Sequence, residues 1–136
     1  MHYGGTFTTV LAPLIMAQRF CLKTVFFVRK FERMSYLFTE HKILTFHQLY
    51  KQTVVSHGFK YYSNYAVKVF TRNTRASTYI TLEIENYLKE SSRNQFCYKG
   101  KSIFNKMVQH FGNSILQEKK PKFKMKVRAA LLNNEL

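Results

Sequence analysis

Between residues 119 and 128 the chain reads KKPKFKMKVR, which sets Lys119, Lys120, Lys122, Lys124, Lys126 and Arg128 within ten positions. Cations at this density suit phosphate oxygens, since each neutralised phosphate releases counterions whatever the base sequence. Phe123, Val127 and Leu131 recur at i, i+4 and i+8. A helix entered through Pro121 would dock that stripe on the body and leave the cations outside. The bland alternative is a soluble helix, but such a face is usually balanced by Glu, and only Glu118 stands beside this one.

The basic character extends to the whole chain, with 22 Lys and Arg against 7 acids and a net charge of +15. Such a field attracts polyanions, of which nucleic acid is the commonest. A solvated basic surface, or one part of a larger protein whose remainder is acidic, would give the same balance.

Other chemistry finds little support. The chain has no Asp, and its Glu residues at 32, 40, 83, 85, 90, 118 and 135 are scattered. Two-metal phosphoryl transfer needs carboxylates converging on ions about 3.5–4 Å apart. Only Glu83 and Glu85 are close; in a strand LEIE they share a face, which alternates with Leu82 and Ile84 and reads as solvated. Cys21 and Cys97 are isolated, without the paired spacing zinc needs, and Cys21 reads as a small core residue. The five histidines form no metal-binding pair, and no nucleophile elbow or phosphate-cradling glycine loop occurs. No catalytic residue, cofactor or metal is expected.

The apolar stretch VLAPLIMAQRFCLKTVFFV is interrupted by Pro13, Gln18, Arg19 and Lys23, whereas a span needs about 20 nearly uncharged residues. A leader peptide would want a basic start and small residues before its cut. MHYGG has no Lys or Arg, and Ile15 would fall at −3 for cleavage after Ala17. An intracellular protein, cytoplasmic or nuclear, is the expectation.

The elements that must position the cations read as mainly α, in an α+β arrangement. Thr8 or Thr9 caps a helix to about Phe27, with Pro13 tolerated in its first turn and an apolar stripe of Leu11, Leu14 or Ile15, Leu22, Val25 and Phe26. A short helix around Ser35 to His41 follows. Thr45 and Gln48 have the spacing of a capping box opening a second long helix, to about Phe59 or Tyr65. The two long helices are expected antiparallel, packed through Leu14, Leu22, Leu49 and Val54. Residues 67–98 mix β-branched and aromatic positions with Asn, Ser and Arg and read as extended segments with a hairpin. KSIFNKMVQHF is a short helix before the turn GNS, and the basic helix closes the chain. Lys60, Tyr61, Tyr62, Tyr65 and Lys68 interleave rings with charges as single-strand binders do, although Tyr61 and Tyr65 share a helical stripe that suits a core.

The blocks YGGTFTTVLAPLIMAQRF, SYLFTEHKILTFHQLY, TRNTR and NQFCYKGKSIFNKM, in that order before a basic tail, resemble the C-terminal region of jockey-type non-LTR retrotransposon reverse transcriptases. The resemblance runs from Tyr3 to about Leu132. It departs at Tyr3, where the family usually has Trp, at Gln95, where Ser is common, and at Lys106 and Met107, in place of Leu-Pro. It implies a thumb-like helical region over residues 1–66 and a post-thumb extended segment with basic C-terminal helices over 67–136. The palm, with its paired catalytic aspartates, lies upstream in that family, so the chain is expected to be a non-catalytic fragment of an RNA-directed DNA polymerase beginning just after it. Carried over to this chain, the phosphate-contacting candidates are Arg19, Lys23, Arg72 and Arg75, with Lys119, Lys120, Lys122, Lys124, Lys126 and Arg128 of the tail. Two functions follow as expectations: sequence-independent binding of RNA or DNA backbones, or a host-adopted protein-interaction domain without nucleic-acid function. No membrane partner is expected.

Overall fold

The computed structural model describes residues 8–29, 31–64, 67–70, 79–84 and 96–136. They form a mainly α-helical fold: α1 (Thr8–Val25), α2 (Ser35–Glu40), α3 (Phe46–Tyr61), a hairpin of β1 (Val67–Phe70) and β2 (Tyr79–Leu82), α4 (Lys101–Phe111) and α5 (Lys120–Leu132). A 3-10 turn, Tyr62–Asn64, extends α3, and another, Asn113–Gln117, joins α4 to α5.

The start of α3 is fixed by the capping box the sequence contains. The Thr45 N–H donates to Gln48 Oε1 at 2.9 Å, and the Gln48 N–H donates to Thr45 Oγ1 at 3.4 Å. Two donors that a helix start leaves orphaned are thereby satisfied. Gln48 does more than cap, since its Nε2 donates to the Leu131 carbonyl at 2.6 Å and to Asn134 Oδ1 at 3.2 Å. The beginning of α3 is therefore tied to the end of α5.

The core lies where α3, α4, α5 and the hairpin meet. Phe104, Met107 and Val108 of α4 are fully buried, as are Phe123 and Val127 of α5, against Val55, Leu44 and Leu82. The ring of Phe59 stacks on that of Phe123, centroids 4.0 Å apart. Phe123, Val127 and Leu131 form the buried stripe their spacing predicts, and Pro121 sits in the first turn of α5, where its missing N–H costs nothing.

β1 and β2 pair antiparallel, Val67 opposite Leu82 and Phe70 opposite Tyr79. The far edge of β2 is closed by side chains of the helical part. Asn105 accepts from the Leu82 N–H at 2.8 Å and donates to the Leu82 carbonyl at 2.9 Å, as a third strand would. Asn113 accepts from the Ile80 N–H at 2.9 Å. An edge paired in this way offers no template to another strand.

The first helix departs from expectation in three respects. Pro13 falls in the second turn of α1, because the helix already includes Thr8; its ring is exposed and only one ladder bond is forgone. Of the four residues expected to pack the two long helices, Val54 is buried and Leu22 half-buried, but Leu14 and Leu49 are 44% and 41% exposed and take no part. α3 instead lays Val55 and Gly58 against the side formed by α4 and α5, where Val55 joins the cluster of Phe104, Met107, Phe123 and Val127. Along α1 the inward side is Leu11, Ile15, Gln18 and Leu22, continued by Phe26 just after the helix, so a polar residue occupies the centre of the stripe. Cys21, expected in the core, is exposed because it projects from the flank of that stripe.

Candidate nucleic-acid interface

α1 is held to the rest of the molecule by Gln18. Its Nε2 donates to the Leu44 carbonyl and its Oε1 accepts from the Phe46 N–H, both at 2.9 Å. This two-way clamp fixes the next residues of α1, Arg19, Phe20 and Lys23, over the connection between α2 and α3. A groove of about 1070 Å³ opens there, lined by Arg19, Phe20 and Lys23 of α1, Arg33 and Phe38 around α2, Lys42, and Ala129 and Leu132 of α5. Glu32 is the single acid among its lining residues.

Arg128 closes the link to the tail helix, as its Nη2 donates to the Lys42 carbonyl at 3.2 Å. Lys42 itself is left-handed, with φ 51°, a conformation uncommon for a residue with a Cβ. The bond from Arg128 and the Ile43 N–H bond to the Phe38 carbonyl at 2.9 Å hold the turn on both sides.

The tail cations do not form one outer ridge. With 3.6 residues per turn, the buried stripe of α5 separates two flanks: Lys124 and Arg128 on one, Lys122 and Lys126 on the other. The second flank is partly neutralised, one carboxylate standing against two lysines. Glu118 lies 3.1 Å from Lys122 Nζ and 2.5 Å from Lys126 Nζ. The hydrogen bond from Lys126, then that from Lys122, holds the Glu118 carboxyl below its ordinary value. The ridge fails because i and i+4 positions on either side of a stripe point apart, and Glu118, just before the helix, reaches only one side.

The remaining sequence candidates divide plainly. Arg19 is exposed and Lys23 half-buried, and both line the groove. Lys119 and Lys120 are exposed at the opposite end of α5 from Arg128. Arg72 and Arg75 lie outside the described residues, as does Glu85 of the carboxylate pair. Of the interleaved rings and charges, Tyr62 packs on the core, while Lys60 Nζ lies 4.8 Å from the centroid of the Tyr61 ring; the side chains of Tyr65 and Lys68 fall outside the described ones. Arg33, Lys42 and Phe20 were not singled out by the sequence. Nothing in their spacing could have marked them, because they converge only through the clamp at Gln18 and the contact at Arg128.

The fold and this site together define a small, mainly α-helical basic protein with a cationic groove between its first and last helices. Comparison with protein-family models, with curated proteins and with solved structures finds no match. Among the described residues no helix is long and apolar enough to cross a membrane.

Proposed function

We propose that the chain is the thumb and post-thumb portion of a jockey-type non-LTR retrotransposon reverse transcriptase, without the palm, and that it binds RNA or DNA backbones without reading sequence. The observation that carries the binding is the convergence of Arg19, Lys23 and Lys42 on one groove, with Arg128 fastened to its wall. Point charges gathered on a concave surface contact successive phosphates, and such contacts carry affinity without base information. The ordered sequence blocks support the family reading, and the pairing of Asn105 with the β2 edge gives a structural role to the asparagine of the NQFCYKGKSIFNKM block.

The binding is tested by the salt dependence of affinity for labelled RNA, followed by fluorescence anisotropy. Log affinity should fall linearly with log salt, and replacing Lys122, Lys124, Lys126 and Arg128 with Gln should flatten the slope by roughly 2–4. An unchanged slope with an intact circular dichroism spectrum would remove the tail from the site.

The proposed fragment does no chemistry. A clean preparation should extend no primer on any template with Mg²⁺ or Mn²⁺; incorporation that Glu83→Ala abolishes would overturn this.

A second reading, an adopted protein-interaction domain, is favoured by a different observation. Val25, Phe27 and Phe31 are 65%, 95% and 92% exposed at the end of α1 and just after it, and exposed apolar groups that cluster mark contact surfaces. That reading predicts association that rising salt leaves intact, the opposite of phosphate binding.

A further inference from the structure

We propose that the groove between α1, α2 and the C-terminal half of α5 takes a short single-stranded stretch of nucleic acid, its backbone on Arg19, Arg33 and Lys42 and one base stacked on Phe20. This inference rests on the nucleic-acid reading above and deepens it. The lining carries four cations, Arg19, Lys23, Arg33 and Lys42, against the one acid Glu32, so a polyanion is the complementary occupant. At about 1070 Å³ the groove matches the upper end of the ~300–1,000 Å³ common for ligand sites.

Phe20 decides which polyanion. Its side chain follows Arg19 on α1, lines the groove and is 72% exposed, so the ring's surface is open beside the cations. Cations alone would hold a duplex or an acidic peptide equally well. A duplex keeps its base faces stacked inside, and a peptide carboxylate is an anion that the electron-rich face of the ring does not attract, so an unpaired base gains most from the ring. Phe38 lines the same groove and adds a second aromatic ring to its wall.

The groove is also built to keep its shape. Gln18 fixes α1 to residues 44 and 46, Gln48 fixes α3 to the end of α5, and Arg128 fixes α5 to the left-handed turn at Lys42. A preformed site saves the ordering cost that a flexible chain would bear on binding.

The test uses the full chain with a short labelled oligouridylate and a blunt RNA duplex of equal phosphate count. Phe20→Ala should weaken the oligouridylate about 5- to 150-fold, the equivalent of ~1–3 kcal/mol for one stacked base, and leave the duplex unchanged. Phe20→Trp should restore single-strand binding, and Arg33→Gln should weaken it while circular dichroism stays unaltered. Equal loss for both RNAs, or no loss for either, overturns the groove assignment while leaving backbone binding in place. Polyglutamate that displaces oligouridylate as well, charge for charge, as unlabelled oligouridylate does would assign the groove to an acidic peptide instead. Failure to bind either RNA at low salt would overturn both readings.

Discussion

Gly58 of α3 lies against the ring of Phe104 in α4. A methyl group added at Gly58 would overlap that ring, within 3.0 Å of its Cγ and Cε2. Both residues are buried, Phe104 fully. The two helices approach so closely at this crossing because one of them presents only backbone.

Gly58→Ala should therefore destabilise the protein by about 1–3 kcal/mol, the usual penalty of overpacking, in spite of the better helix propensity of Ala. Phe104→Ala should cost more, about 3–5 kcal/mol, through the cavity it leaves. Urea unfolding measures both. Additive costs in the double variant would show that the two residues do not share the crossing, since a contacting pair couples.

At Gln18 the expected loss is positional as well as energetic. Gln18→Ala strips the Leu44 carbonyl and the Phe46 N–H of their partner, which should cost about 1–3 kcal/mol. Hydrogen exchange at Phe46 should accelerate, and RNA affinity should drop although no cation has been removed. Unaltered exchange at Phe46 would mean that the clamp does not hold α1.

For Asn105 the two hydrogen bonds to Leu82 distinguish amide from carboxylate. Asn105→Asp keeps an acceptor for the Leu82 N–H but sets a negative charge against the Leu82 carbonyl, so it should not rescue Asn105→Ala. Each should lose about 1–3 kcal/mol, with Leu82 amide protection falling ahead of that of α4. Full stability of the Asp variant would show that only the accepted bond matters.

The two flanks of α5 should bind differently. Replacing Lys124 and Arg128 with Gln should flatten the log salt slope by about 2, at roughly 1 per phosphate contact. The same change at Lys122 and Lys126 should flatten it less, because Glu118 already offsets part of that side's charge. Glu118→Gln should steepen the slope. Since the folded carboxyl sits below its ordinary value of 4.5, the stability it contributes is present above that value and is lost as pH falls through the lower folded one. Glu118→Gln should remove that part of the acid transition. Equal slopes for the two double variants would restore a single outer ridge.

What the sequence by itself determined is what depends on neighbours along the chain. Thr45 and Gln48 are three residues apart, so the capping box and the start of α3 are local facts. Phe123, Val127 and Leu131 lie on one side of any helix that contains them, and the mainly α character follows from stretches of this kind. Local spacing says which side of a helix is apolar; it does not say which partner covers that side. The tertiary structure decided that α3 turns Gly58 and Phe59 to α4 and α5 and leaves Leu49 exposed, because only a backbone without a Cβ admits the Phe104 ring so closely. It also decided the site. Gln18 reads as an interruption in an apolar stripe until its amide meets Leu44 and Phe46, and Gln48 reads only as a cap until it reaches Leu131. The tail reads as six equivalent cations until Glu118 takes one flank and Arg128 turns the other toward Lys42. Hydrogen bonds between residues far apart in sequence leave no periodic trace, so their effect on which charges face a ligand emerges only when the chain has folded.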